Sequence, residues 1–360
     1  MKALKIILLP LLPIYFVIVK LRNYLFDKDI LKSQEVGAQI ISVGNLTVGG
    51  SGKTPMVIYL SNLIKNEGGR VGVLSRGYGR KSRGYILVSQ DGRILTTVEK
   101  CGDEMFHTVK ETNLPAAVSE NRVNGAIRLI KETGVDTIVL DDAFQHRWIY
   151  RDINILIFEQ RFLLDTGFFN QSLLPEGLMR ESFDSIKRAD LIIINRKFSE
   201  ISNLPDKLNK FLSNIKVFTA YYETIGFVDI KKQSFYNIED FEGQKSLVVS
   251  GIANPFSFIN ALKQTKVDTL NQIIFRDHKN YTLKEVQRIR KEFYDTNSHS
   301  VVTTEKDAVK LYKFSKELDD IDIFYLKIQI KLDEEQEFKK YLFNSLTTEK
   351  ERNNSRNKKN

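Results

Sequence analysis

Ile40-Ile41-Ser42-Val43-Gly44-Asn45-Leu46-Thr47-Val48-Gly49-Gly50-Ser51-Gly52-Lys53-Thr54-Pro55 decides the fold. A β-branched run enters a glycine-rich turn. Met56, Leu60, Leu63 and Ile64 then leave it at helical spacing, until Gly68-Gly69 stops the pattern. Strand, glycine-rich turn and Gly-Lys-Thr at a helix start is the layout of a phosphate-binding loop. Thr47, Val48, Gly49, Gly50, Ser51, Gly52, Lys53 and Thr54 are therefore the expected cofactor contacts. Backbone N–H groups and the helix N-terminus face an anion, Lys53 reaches the terminal phosphates, and Thr54 can hold Mg²⁺. The departure is Thr47, which stands where the usual pattern has glycine. A glycine-rich loop with an incidental Gly-Lys-Thr is the alternative; the strand and helix context favours the phosphate site.

With 360 residues the chain is long enough for two domains. Its net charge of +9 favours an anionic partner, whether nucleotide, phospholipid surface or nucleic acid. Cys101 is the single cysteine, so no internal disulfide and no thiolate metal cluster can form.

Ile6 to Val19 is an unbroken apolar run with Lys2 and Lys5 before it and Lys20 and Arg22 after. It is short of the roughly 20 residues of a comfortable span, and no small-residue cleavage site follows it. An interfacial helix, with its basic flanks on anionic headgroups, is the preferred reading over a buried helix, a span or a signal. Further on, Arg70 to Ser75 reads as a second strand running into Arg76-Gly77-Tyr78-Gly79-Arg80-Lys81-Ser82-Arg83. That loop is either a phosphate or substrate grip or a solvated basic turn. Asp103, in Gly102-Asp103-Glu104, reads most simply as a helix cap.

Thr137-Ile138-Val139-Leu140-Asp141-Asp142 is an apolar strand ending in two carboxylates, the place where phosphate-loop enzymes hold Mg²⁺. Further apolar strands at Ile153–Phe158 and Asp190–Asn195 alternate with helical stretches, which argues for a parallel sheet with helices on both faces. Asn195-Arg196-Lys197-Phe198 lacks the aspartate of a guanine-reading motif. Polar residues over 223–245 read as a domain junction, followed by a second, smaller α/β set and a polar tail from Thr347 that predicts disorder.

Taken together, these stretches resemble the tetraacyldisaccharide 4'-kinase (lipid A 4'-kinase) family. The matching residues are Gly44-Asn45, Gly49 to Pro55, Arg76 to Arg80, Gly102-Asp103-Glu104, Asp141 to His146, Leu174 to Glu181, Asp277-His278 and Thr303 to Asp307. Ala143, where the family usually has glycine, and Met105, where it often has proline, are the departures.

The resemblance implies ATP- and Mg²⁺-dependent phosphorylation of the 4'-hydroxyl of a tetraacylated glucosamine disaccharide-1-phosphate, at the cytoplasmic face of the inner membrane. The implied attachment is peripheral or monotopic, through the N-terminal helix. It implies Asp103 as base with His278 orienting it, one from each domain, alongside Lys53 as the third catalytic residue. Thr54, Asp142 and Glu181 are the implied metal shell, with Asp141 as a supporting or alternative ligand. Arg76, Arg80, Gln145, His146 and Arg180 are the expected substrate or phosphate contacts. No nucleic-acid partner and no obligate protein partner are expected, since the basic residues are scattered and lack aromatic platforms outside Arg76–Arg83. The expected division is 1–26 membrane-associated helix, 27–225 phosphate-loop kinase domain, 226–346 smaller α/β domain and 347–360 disordered tail.

Overall fold

In the computed structural model, which describes residues 11–252, 255–276 and 279–357, the later part of the apolar N-terminal run forms helix α1 (Leu11–Asp27). The expected strand and helix around the glycine turn follow as β1 (Gln39–Gly44) and α2 (Lys53–Asn66). Next come β2 (Val71–Ser75), β3 (Ile86–Gln90), α3 (Asp103–Thr112), β4 (Ala116–Val118), α4 (Arg122–Thr133), β5 (Thr137–Asp141), β6 (Ile153–Glu159), β7 (Leu191–Asn195) and β8 (Lys216–Asp229).

The chain divides into two compact units. One comprises residues 1–196, 200–220 and 332–360; the other comprises 197–199 and 221–331. In the first unit the strands lie in the order β8-β7-β6-β1-β5-β2-β4-β3, parallel except that β3 runs antiparallel to β4. β1 is thus central, flanked by β5 and β6. Strands buried on both faces need apolar residues at every position, which explains the continuous β-branched and leucine runs. Leu156, Phe158, Ile192 and Ile194 pack in one core with Phe144 and Met179. Ile40, Leu74, Ile138 and Leu140 pack in another under Ala126 and Leu129 of α4. The register sets Val43 beside Asp141, so the carboxylates end their strand where the glycine turn begins.

The second unit contains β9 (Lys245–Ser250), α5 (Pro255–Gln264), β10 (Asp268–Ile274), α6 (Leu283–Asp295), β11 (Ser300–Thr304), α7 (Glu305–Leu311) and β12 (Ile323–Leu332). Its strands order as β10-β9-β11-β12 and are parallel. Alternate side chains serve two cores: Leu247, Val249 and Val301 enter one, Val248 and Val302 the other.

Three boundaries differ from expectation. The polar stretch expected to be a junction begins inside β8, because Phe227 and Val228 still supply core residues between the polar ones. The last helix, α8 (Glu335–Asn357), belongs with the first unit rather than the second. Its buried Phe338, Leu342 and Leu346 recur every four residues, and Phe338 packs edge-on against Phe218 at 5.2 Å and beside Tyr59 at 6.2 Å. The tail expected to be disordered continues this helix through Asn357, the backbone carrying on from an anchored first half.

Phe338→Ala should therefore destabilise the first unit by about 3–5 kcal/mol, the usual cost of emptying a buried aromatic site. The single tryptophan, Trp148, lies in that unit, so urea unfolding followed by its fluorescence reads the effect directly. A change below about 1 kcal/mol would contradict the assignment of α8.

Candidate active site

Gly44 ends β1 where a side chain cannot fit: a Cβ there would stand 2.6 Å from Cβ of Phe144 and 2.8 Å from its backbone nitrogen. The turn then rises to Gly49 (φ 116°) and returns through Gly52 (φ 100°), two left-handed positions that favour glycine. No heavy atom lies within 4 Å of where a Cβ would stand on Gly49 or Gly50, so the loop tip is open. Gly52 also caps α2 without any side-chain hydrogen bond, leaving the helix's first N–H groups at the loop.

The turn is braced from three sides. Asn45, fully buried, donates to Ser51 Oγ at 3.0 Å and to Thr47 Oγ1 at 3.4 Å. Asn195 at the end of β7 donates to the Ser51 carbonyl at 3.1 Å. The Leu173–Glu181 loop runs antiparallel along it, with Val48 N–H donating to the Leu178 carbonyl at 2.8 Å and Arg180 N–H to that of Leu46 at 2.6 Å. Nothing in the sequence marks Asn45 or Asn195 for this bracing role. In the sequence Asn195 begins a stretch comparable with a base-reading motif, whereas its side chain serves the turn's backbone.

Opposite the turn, Asp142 sits at φ 50°, left-handed backbone that a non-glycine residue adopts only when its surroundings hold it there. Arg180 Nη1 reaches both its carboxylate oxygens, at 2.8 and 2.9 Å, and Lys53 Nζ lies 3.6 Å away. Burial alone would raise the Asp142 pKa; Lys53 and Arg180 outweigh it and hold the carboxyl below its usual range. Asp141 is shifted the other way, upward, by burial and by the neighbouring Glu104 and Asp142 carboxylates. Its Oδ1 is buried with no hydrogen-bond partner. Gln145 joins the cluster, donating to the Asn45 carbonyl at 2.9 Å and accepting from Arg180 at 3.4 Å. His146 is pushed down to about 4 by burial and by the Arg122 charge, so its imidazole is neutral near pH 7. Arg122, buried at the start of α4, was also missed; it donates to the carbonyls of Ser119 and Glu120 while its charge acts on both aspartates.

Among the described residues no three His, Cys, Asp or Glu side chains converge as a metal cage. The donors at hand are the Thr54 hydroxyl and the Asp141–Asp142 pair, including the orphaned Asp141 oxygen. That set fits Mg²⁺, which typically takes one or two carboxylates and completes its shell with water and phosphate oxygens.

Two expected site residues are engaged elsewhere. Glu181 is almost fully buried, and its carboxylate accepts from Arg22 (2.7 Å), Asn23 (3.0 Å), Ser185 (2.8 Å) and Arg188. These partners engage both oxygens, so Glu181 as placed here serves an ion-pair cluster rather than facing the Asp141–Asp142 pair's cations. Arg80, expected at the substrate, has a buried side chain that binds the Gly84 carbonyl and Glu120. Arg76 is exposed. Asp103 is the first residue of α3, not its cap: Gly102 holds that position, and the exposed aspartate makes no capping hydrogen bond. His278, together with Asp277, lies outside the described residues. Cys101 is a buried thiol whose pKa burial pushes up to about 11, an inert packed side chain.

With this geometry in place, comparison with known proteins is decisive. The family model for tetraacyldisaccharide-1-P 4'-kinase matches residues 4–347. The chain belongs to that family. It is 35% identical over 352 residues to the tetraacyldisaccharide 4'-kinase of Flavobacterium psychrophilum, covering 96% of this chain and 97% of the relative. To the enzyme of the same name from Aquifex aeolicus it is 31% identical over 339 residues, covering 93% and 97%. The crystal structure of the "apo" form of LpxK from Aquifex aeolicus in complex with ATP superposes with a TM-score of 0.75 at 30% identity, covering 95% of this chain and 99% of that one. The chain is thus a kinase of lipid A biosynthesis that uses ATP, as its sequence resemblance implies.

Glu181→Gln should cost up to about 3 kcal/mol of stability, since it leaves the Arg188 and Arg22 charges without their counter-ion. Urea titration measures this. A variant with wild-type stability but no Mg²⁺-dependent turnover would instead place Glu181 in the metal shell.

Proposed function

We propose that this kinase transfers the γ-phosphoryl group of ATP to the 4'-hydroxyl of a tetraacylated glucosamine disaccharide-1-phosphate, with the turn at 47–54 holding the nucleotide. The observation that carries the reading is the placement of Lys53 3.6 Å from Asp142, itself gripped by Arg180, at the carboxyl ends of two paired strands. Nucleotide sites lie at such strand ends because helix N-termini and loop N–H groups converge there.

In this reading Lys53 meets the terminal phosphates and moves its charge from Asp142 to them. Thr54 and the Asp141–Asp142 pair would hold Mg²⁺, which neutralises charge on the phosphates when bound. Arg180, released from Asp142, is placed to follow the transferring group. Gln145 and neutral His146 supply polar contacts for the acceptor, with exposed Arg76 toward an anionic group. Asp103 takes the proton from the 4'-hydroxyl as the new O–P bond forms and ADP leaves, with His278 orienting or sharing it. Most of the acceleration comes from positioning and charge neutralisation.

The acylated acceptor stays in its bilayer, since withdrawing it costs about 0.8 kcal/mol per CH₂ group. We therefore place the protein peripherally on the cytoplasmic face of the inner membrane. Ile14, Val17, Ile18, Leu21 and Tyr24 form an exposed stripe on one side of α1 and suit insertion at the acyl boundary. Among the described residues no helix is long and apolar enough to cross a membrane.

Lys53→Ala should abolish turnover with the urea midpoint unchanged; retained turnover would remove the phosphate-loop assignment. Asp103→Ala and His278→Ala should each lower kcat by about two to four orders of magnitude. The double variant should lose little more, whereas additive losses would argue against a shared proton path. An ATP-dependent assay comparing the acylated disaccharide with its deacylated counterpart tests the function itself, and equal use of both would oppose a lipid acceptor.

A further inference from the structure

The inner side of α1 is as specific as its outer side is greasy. Tyr15, Arg22, Asn23 and Phe26 recur at helical spacing on the face opposite the apolar stripe, and each meets a loop of the candidate site. Tyr15 Oη donates to the Arg180 carbonyl at 2.9 Å. Arg22 and Asn23 donate to Glu181 at 2.7 and 3.0 Å. Asn23 also accepts, through its carbonyl, from Arg147 at 3.0 Å, and Arg147 pairs with Asp27 at 2.8 Å. Phe26 packs edge-on against Trp148 at 5.0 Å. One helix face therefore holds both segments that carry the cluster: residues 180–181, and residues 147–148 just beyond Asp142 and Gln145.

Arg180 and Glu181 are chain neighbours pointing to different partners. Glu181 goes to α1, while Arg180 goes to Asp142, which lies beside Lys53. A shift of Glu181 along the helix must displace the Arg180 backbone, whose N–H is bonded to the Leu46 carbonyl in the phosphate turn. Nothing in the expected mechanism uses Tyr15, Arg22 or Asn23, yet Arg22 carries a buried Nε without a partner as the cost of lying there.

We propose that Arg22 and Asn23 are positioning residues for phosphoryl transfer, holding the Arg180 backbone against the phosphate turn from helix α1 through Glu181. The proposal rests on the kinase reading above. It adds that α1 sets the geometry at the phosphates as well as the address of the enzyme, so that the bilayer-facing element and the nucleotide turn are mechanically one piece.

The test uses the full chain in detergent micelles with ATP and the acylated disaccharide, and, separately, fluorescent-nucleotide binding without acceptor. Arg22→Ala and Asn23→Asp should lower kcat by about 10- to 100-fold, as expected of sub-ångström misplacement at a preorganised site. They should weaken nucleotide binding measurably, with KM for the lipid within about twofold of wild type. Sedimentation with phosphatidylglycerol vesicles should be unchanged, and Arg22→Lys should recover part of kcat. A raised lipid KM with unchanged kcat and nucleotide affinity would overturn the proposal and leave α1 as an anchor alone. Loss of activity matching the fraction unfolded by Trp148 fluorescence would likewise overturn it. If the wild-type protein binds nucleotide but phosphorylates no acylated disaccharide, the kinase reading fails; the nucleotide-binding arm still decides the positioning claim.

Discussion

Two adjacent carboxylates at the end of a buried strand cannot both be ionised unless cations meet them. At Asp141–Asp142 that constraint shapes the site. Asp142 is kept charged by Lys53 and Arg180, while Asp141, with an unpartnered oxygen, is driven toward its neutral form. The arrangement is poised for a third charge. In the proposed reaction, polyphosphate arriving at the glycine turn would compete for both cations, and the carboxylates would thereby become available to a metal. Charge already placed where it will be needed is the main way such sites accelerate a reaction, because little has to reorganise during the chemical step.

Holding that arrangement takes more residues than perform the chemistry. Asn45, Asn195 and the backbone of the 173–181 loop fix the turn, and Gln145 ties it to Arg180. Each of these groups is buried or half-buried and hydrogen-bonded, so a shift at one must be answered by the others. Glu181 extends the frame outward to Arg22 and Arg188, an ion-pair cluster whose removal by halves is expensive. The frame therefore reaches from the nucleotide turn to the helix that carries the exposed apolar stripe. On the proposed reading, in which the lipid acceptor stays in its bilayer, the same frame would set both catalytic geometry and approach to the membrane.

The apolar runs at 40–43, 137–140, 153–158 and 190–195 by themselves determined a mainly parallel α/β sheet, because strands buried on both faces admit little else. The glycines determined where the open turn after β1 lies, because glycine takes up its left-handed backbone at Gly49 and Gly52 without steric cost. The order of motifs was enough to place the chain in its family. What the linear order could not carry was the partner of each charge. Glu181 reads as a metal ligand and Arg80 as a substrate contact until their distant neighbours, Arg22 with Arg188 and Glu120, are seen to occupy them. Asn195 and Asn45 converge on Ser51 across 144 and six residues of sequence, and α8 returns to the first unit although it follows the second. Periodicity reports which face of an element is buried. Which group from elsewhere meets that face is decided only when the sheet assembles, since side-chain electrostatics depend on distance in space rather than along the chain.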